Sequence, residues 1–278
     1  MDLVQSELRT GEDPQSGSVA IITLSDPKRR NALSNDLVAE FLRTFDEIES
    51  MPEVRAIVVT GAAPVFCAGA DLGGLAAEQG RPQSEKERED GLRRIYSAFL
   101  RTSSSSIPTI AAVNGPAVGA GTNLALACDV RIASTSAKFD TRFLDLGLHP
   151  GGGHAFLLAR AVGGQAANAM VLFGETLNGA EAVDRGLVWR CVDDETLIDE
   201  AVRLGLRAAS VPKELLERTK ATLNQSFGVD THADAVDLEL VAQMWSLDQP
   251  IFVERLASFR ARISNTTANE SKETSRKG

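Results

Sequence analysis

Two short runs of very small residues stand where chemistry on a carbonyl oxygen could be done. One is Gly119-Ala120-Gly121. The other is Ala68-Gly69-Ala70-Asp71, about fifty residues upstream. The first opens Thr122–Cys128, apolar enough for a buried helix. A helix N-terminus carries unpaired N–H groups and a partial positive charge. Small residues let a substrate oxygen approach that backbone closely. Two such corners, each after an apolar strand, could supply two converging N–H donors, an oxyanion hole. The same residues also suit two tight turns whose glycines serve only to pack neighbouring elements.

The elements that must position these corners are legible nearby. Thr109–Val113 reads as a short buried strand, broken by Asn114-Gly115-Pro116. Val54–Thr60 reads as another, followed by a turn at Gly61–Pro64. Upstream, Leu3–Leu8 and Val19–Leu24 form a predicted hairpin around GEDPQSGS. Ser34 is placed to cap a helix over Asn35–Glu49, with Leu37, Phe41, Leu42, Phe45 and Ile48 on its apolar face. Residues 75–94 are polar and charged and read as a mobile loop entering a helix that continues through Ile95–Leu100. Asp129–Ser134 is a further strand. A helix is predicted from Thr141, with Asp140 as a candidate cap, ending at Gly151–Gly153. Ala155–Val162 and Gln165–Phe173 are short helices. Leu177–Arg190 is a helix stopped by Gly186 and followed by a strand. Leu197–Ala209, Lys213–Asn224 and Ala233–Phe259 are amphipathic helices. Alternating strands and helices give an α/β class.

Composition narrows the function classes. The chain has 278 residues, enough for a sizeable core, with 43% hydrophobic and 24% charged residues, as in soluble globular proteins. A net charge of −9 argues against general nucleic-acid or anionic-membrane binding, so an anionic ligand needs a local basic patch. Lys28, Arg29 and Arg30 form one. Cys67, Cys128 and Cys191 have no zinc spacing, and Cys67 and Cys128 in apolar runs read as buried reduced thiols. The polar, acidic start is unlike a signal peptide, and no apolar run is expected to span a membrane. The expected location is the cytoplasm. No dinucleotide fingerprint or metal cluster is convincing, so no redox cofactor is expected.

TGAAPVFCAGADL followed by IAAVNGPAVGAGTNLALACDVRIAS resembles the paired signature of the crotonase (enoyl-CoA hydratase/isomerase) superfamily. The likeness runs from about Val19 to about Ser226. It implies a spiral of ββα units with a C-terminal helical region used for oligomerisation. The implied division is a core with the acyl-CoA site over 1–200, helices over 201–263, and a polar tail over 264–278 that reads as disordered. It also implies self-association as a trimer or a dimer of trimers. The implied ligand is an acyl-CoA or enoyl-CoA thioester, with coenzyme A entering as part of the substrate. Its carbonyl oxygen would lie between the amides of Ala70 and Ala120. Arg30, and less directly Lys28, would meet the CoA phosphates, and an arginine fork suits phosphate. A solvated charged loop is the other reading of those cations. Ala68 and Asp71 fall in the matching motif beside CoA, with capping or structural bonding the other role for Asp71, as for Asp129.

The departures from the family pattern matter most. Hydratases of this family use two glutamates, and their positions here hold Asn123 and Phe143. Asparagine can orient water but does not take a proton near neutral pH, and phenylalanine does neither. Asp145 is the first substitute, although two residues of helix would turn it about 200° from Phe143. His149 and His154 flank Pro150–Gly153 and are suited to proton transfer near neutral pH. Structural roles for all three stay open. The expectations are therefore an acyl-CoA enzyme with both usual glutamates replaced, or alternatively a non-catalytic acyl-CoA-binding protein. A purely structural oligomer subunit is weaker, because both corners survive.

Overall fold

The computed structural model describes residues 2–12, 16–71, 73 and 84–260. It begins with the expected hairpin. β1 (Val4–Thr10) and β2 (Ser18–Leu24) pair antiparallel, with Val4 opposite Leu24. Ser34 caps α1 (Asn35–Ser50), its hydroxyl accepting the Leu37 amide, and Leu37, Phe41, Phe45 and Ile48 are buried on one face. β3 (Val54–Gly61) follows, then α2 (Glu85–Ser103), opened by a reciprocal Ser84–Glu87 capping box. Next come β4 (Thr109–Val113), β5 (Pro116–Val118), α3 (Ala120–Ala127), β6 (Val130–Ser134) and β7 (Lys138–Asp140). α4 (His154–Phe173), β8 (Leu177–Asn178), α5 (Gly179–Asp184), β9 (Arg190–Val192) and α6 (Leu197–Ala209) complete the sheet-bearing part.

Six strands form one sheet in the order β1-β2-β3-β4-β6-β9, and every pairing from β2 onward is parallel. β5, β7 and β8 form a smaller sheet. Both faces of the large sheet are covered. On one, Ile22, Ile57, Val59 and Val113 pack with Phe41 and Phe45 of α1, Phe99 of α2 and Leu124 of α3. On the other, Val19, Ile21, Val58, Ile110 and Ile132 pack with Leu197, Ala201 and Ala209 of α6. Strands buried on both sides cannot alternate in polarity, which is why β2 and β3 read as nearly continuous apolar runs.

The chain divides into two compact units, one ending at Glu217 and one starting at Arg218. That point falls within α7 (Lys213–Ser226), and the second unit contains α8 (His232–Leu247) and a further helical run over 250–260. The expected unstructured tail, 264–278, lies outside the described residues, as do residues 75–83 of the expected mobile loop.

Several local expectations need correction. No α-helix follows Thr141. β7 ends at Asp140, Arg142 is left-handed with φ 43°, and only a 3-10 turn forms over Leu144–Leu146 before Gly147 closes it at φ 67°. The three-residue strands β5 and β7 and the two-residue β8 are too short to show alternation. The expected helix over Leu177–Arg190 shrinks to α5, and the single helix over Ala233–Phe259 breaks at Asp248 before Pro250. One helix, α4, is long and apolar enough by composition to cross a membrane, with a mean hydropathy of 1.3, contrary to the expectation of none. Its ladder is interrupted at Gly163 (φ 75°, ψ 166°), and Arg160 lies within it.

Candidate active site

The two small-residue corners touch through their backbones. Cys67 pairs with Ala117 of β5 as an isolated parallel bridge: its amide donates to the Pro116 carbonyl at 3.2 Å and its carbonyl accepts from the Val118 amide at 3.0 Å. On the other side the Ala68 amide donates to the Arg30 carbonyl (3.1 Å), and the Gly69 carbonyl accepts from the Leu33 amide (2.7 Å). The corner is thus clamped between β5 and the segment leading into α1. Glycine is required on both surfaces. A Cβ on Gly121 would lie 2.2 Å from the Cys67 carbonyl oxygen, and one on Gly69, whose φ is +96°, would lie 2.6 Å from the Val118 carbonyl oxygen. The same Gly69 position is 3.5 Å from the Ala120 amide nitrogen. The Gly69–Ala70 corner therefore lies beside the start of α3, where Ala120 stands. Ala120 is the first residue of α3, and its N-cap, Gly119, offers no side chain to the helix amides. Neither the Ala70 nor the Ala120 amide donates to another described element.

A second element holds the 26–31 loop in place. The buried Asn31 side chain donates to the Val65 carbonyl (2.7 Å) and the Ala62 carbonyl (2.9 Å), and accepts from the Asp26 amide (3.0 Å). Sequence reading passed over Asn31; its residue type, which tolerates the left-handed backbone it adopts here (φ 58°), was the one signal available. Of the three adjacent cations, Arg29 is tied structurally, 3.0 Å from Asp26 and 3.8 Å from Asp71. Lys28 and Arg30 are exposed. Arg30 lines a cavity of about 560 Å³ together with Lys138, Arg142, Asp140 and Glu181. Asp71 accepts from the Gly73 amide (3.1 Å), a local turn bond. Asp129 accepts from both the amide (2.7 Å) and the hydroxyl (3.0 Å) of Thr109, clipping β4 to the start of β6.

Asn123 lies one turn into α3 from Ala120, and both ends of its amide are engaged. Nδ2 donates to the Gly151 carbonyl at 3.0 Å, and Oδ1 meets Nδ1 of His154 at 2.6 Å. Phe143 stacks edge-on against the His154 ring, with centroids 4.9 Å apart and an interplanar angle of 60°. The end of the Phe143 ring also lies 3.8 Å from where a Gly119 Cβ would stand. So Asn123, Phe143 and His154 form one cluster beside the Gly119–Ala120 corner. Tyr96 of α2 reaches it through Gly151, whose added Cβ would strike the Tyr96 hydroxyl at 2.3 Å. His154 is 1% exposed, and burial pushes its pKa down to about 4, so it is neutral at neutral pH. Asp145 and His149 are exposed, and His149 Nδ1 rests 2.7 Å from the Pro150 carbonyl oxygen. The structure does not bring either into the Asn123 cluster. Asp140 is not a helix cap; it pairs with Arg142 at 2.6 Å. Tyr96 carried no sequence signal, since only the chain reversal at Gly151–Gly153 brings it near.

A family model described as enoyl-CoA hydratase/isomerase matches residues 14–252. A probable enoyl-CoA hydratase of Mycobacterium tuberculosis is 45% identical over 249 residues, covering 88% of this chain and 94% of that one. The 1,2-epoxyphenylacetyl-CoA isomerase of Escherichia coli is 34% identical over 247 residues, covering 88% and 93%. Among solved structures, an enoyl-CoA hydratase from Bacillus anthracis is 28% identical, with a TM-score of 0.83 over 94% of this chain and 96% of that one. Fold and relatives together define an α/β enzyme of the acyl-CoA class. The chain belongs to the enoyl-CoA hydratase/isomerase family, the crotonase superfamily expected from its paired motifs.

Proposed function

We propose that this chain binds an acyl-CoA thioester with its carbonyl oxygen between the amides of Ala70 and Ala120, and stabilises the enolate-like oxyanion formed when the adjacent carbon reacts. The observation that carries the reading is the backbone contact of the two corners across Gly69 and Gly121, which sets the Ala70 corner beside the first residue of α3. Lys28 and Arg30 would receive CoA phosphates, with Ala68 and Asp71 lining that side. Both hydratase glutamates are replaced, by Asn123 and Phe143, and each missing acid–base group is worth about 10²–10⁴-fold in rate. Hydration therefore lacks its usual pair of acid–base groups here, although relatives such as the Mycobacterium tuberculosis protein carry the hydratase name. No redox cofactor and a cytoplasmic location belong to the same reading.

The engaged Asn123 amide and the exposure of Asp145 and His149 also favour a second reading, an acyl-CoA-binding protein without turnover. Self-association belongs to the proposal as well, and Val236, Leu240, Val241 and Met244, exposed on α8, support it.

Mass spectrometry of 2-enoyl- and 3-enoyl-CoA thioesters incubated in oxygen-labelled water and, separately, in heavy water tests the reading. Deuterium uptake or double-bond migration without oxygen uptake is the expected result. Oxygen uptake into a hydroxyacyl product overturns the weight placed on Asn123 and Phe143. Tight binding with no change in any thioester establishes the second reading.

A further inference from the structure

Among the described residues of the site, the Asn123–His154 pair is a polar arrangement whose geometry is both fixed and incomplete. The Asn123 amide is oriented by its bond to the Gly151 carbonyl, so Oδ1, an acceptor, faces the imidazole. Nδ1 of His154 must then carry the proton and donate at 2.6 Å. That leaves Nε2 as a bare acceptor. It is buried and has no hydrogen-bond partner. A buried polar atom left unpaired destabilises the fold, and such atoms call for an explanation.

We propose, resting on the acyl-CoA reading above, that His154 Nε2 is the proton carrier of this site, with Asn123 as the residue that positions it. Two observations place the imidazole beside the oxyanion corner. Asn123 stands one turn along α3 from Ala120. The end of the Phe143 ring lies 3.8 Å from where a Gly119 Cβ would stand, and its centroid lies 4.9 Å from that of the His154 ring. The step balances with one group. The Nε2 lone pair takes a proton from C2 of the thioester: the C2–H bond breaks and an Nε2–H bond forms. The C–H electron pair moves into the carbonyl, whose charge meets the Ala70 and Ala120 amides. When the Nε2–H exchanges with solvent before a hydron is returned, C2 becomes labelled; returned to C4 of a 3-enoyl ester, the proton moves the double bond. Addition of water would need a second carrier to deprotonate the nucleophile; the other titratable side chain described at the edge of this cluster is Tyr96, whose hydroxyl borders Gly151.

The surroundings suit a neutral imidazole. Asn123 faces it from α3. Phe143 faces it from the 140–149 segment, on which Asp140 is paired with Arg142 while Asp145 and His149 are exposed. From α2, Tyr96 borders Gly151, and within α4 Arg160 lies over the Phe156 ring. The downward pKa shift of His154 arises from burial, with no contribution from any of these charges.

The test uses the full chain, with butyryl-CoA for exchange in heavy water and 3-hexenoyl-CoA for migration. Binding is measured by calorimetry on the same samples. His154→Gln should lose about 10²–10⁴-fold in exchange rate while still binding butyryl-CoA. Asn123→Asp places a carboxylate against Nδ1, which raises imidazole basicity and moves the acid limb of the pH–rate profile upward. Nitrogen-15 NMR of the histidines should show His154 protonated at Nδ1 and bare at Nε2. Exchange at wild-type rate in His154→Gln, an unmoved acid limb in Asn123→Asp, or the opposite tautomer each overturns the assignment. If the wild type binds no acyl-CoA at all, the acyl-CoA reading itself fails, a result separable from loss of exchange with binding retained. Circular dichroism checks that each variant is folded; if His154→Gln is not, the Asn123→Asp profile and the tautomer decide.

Discussion

Gly121→Ala is the most direct probe of the contact between the corners. The added Cβ would sit 2.2 Å from the Cys67 carbonyl oxygen and 2.9 Å from both the carbonyl carbon and Cβ of Cys67, whereas ordinary contact begins at 3.4 Å. Two of the three obstacles are backbone atoms, so no side chain can swing away. The φ of Gly121 is outside the left-handed region, and the effect is steric alone. Helix α3 and the Cys67 corner must part by about 1 Å, and a misplacement of that size costs on the order of 100-fold in rate when it displaces a reacting geometry. That corresponds to about 2.7 kcal/mol of transition-state stabilisation. Overpacking should also lower stability by about 1–3 kcal/mol. The assay is kcat/KM on the best thioester substrate found, with binding of the CoA ester and a urea melt measured beside it. Gly164→Ala is the control, because nothing lies within 4 Å of its added Cβ. Wild-type kcat/KM in a folded Gly121→Ala protein would refute the argument, since the corners would then not need to touch.

Burial holds the His154 pKa at about 4 against an ordinary value of 6.5. The unfolded chain takes up that proton first, so stability should fall as pH drops from 6.5 toward 4 and level off below, by on the order of 3 kcal/mol from this group. Urea melts at stepped pH should show the loss in the wild type and a flatter profile in His154→Gln; equal slopes would contradict it. Asn31→Ala should cost about 1–3 kcal/mol by leaving the Val65 carbonyl without its donor, measured by chemical denaturation. Burial pushes the Cys67 thiol up to about 12, so alkylation at mildly basic pH should reach half-buried Cys191 first and Cys67 only on unfolding, read by peptide mass spectrometry.

The long elements were legible because burial on both faces of the sheet leaves a plain mark in sequence. Val54–Thr60 and Thr109–Val113 are apolar apart from Arg55, Thr60 and Thr109, and Ser34 announces α1. The corners were legible as runs of the smallest residues, and Gly69 and Gly121 stand where the two backbones meet, the packing role that the sequence also allowed. The stretch after Lys138 was not legible. Phe143, Leu144 and Leu146 suit a helix by composition, but left-handed Arg142 and Gly147 confine it to one 3-10 turn. The angular argument about Asp145 failed with the helix on which it stood. The partner of Asn123 was also hidden. His154 lies 31 residues away, and only the reversal through three glycines lays its ring against α3.

The backbone-to-backbone joint between the corners has a consequence for how such a protein can change. The joint is made by carbonyls and missing side chains, so substitutions at positions 123, 143 and 154 leave it in place. Proton-handling groups can be exchanged while the oxygen-anchoring frame stays constant. Innovation in this scaffold is therefore separable from folding: the glycines conserve the stage, and a few neighbouring side chains choose what is performed on it.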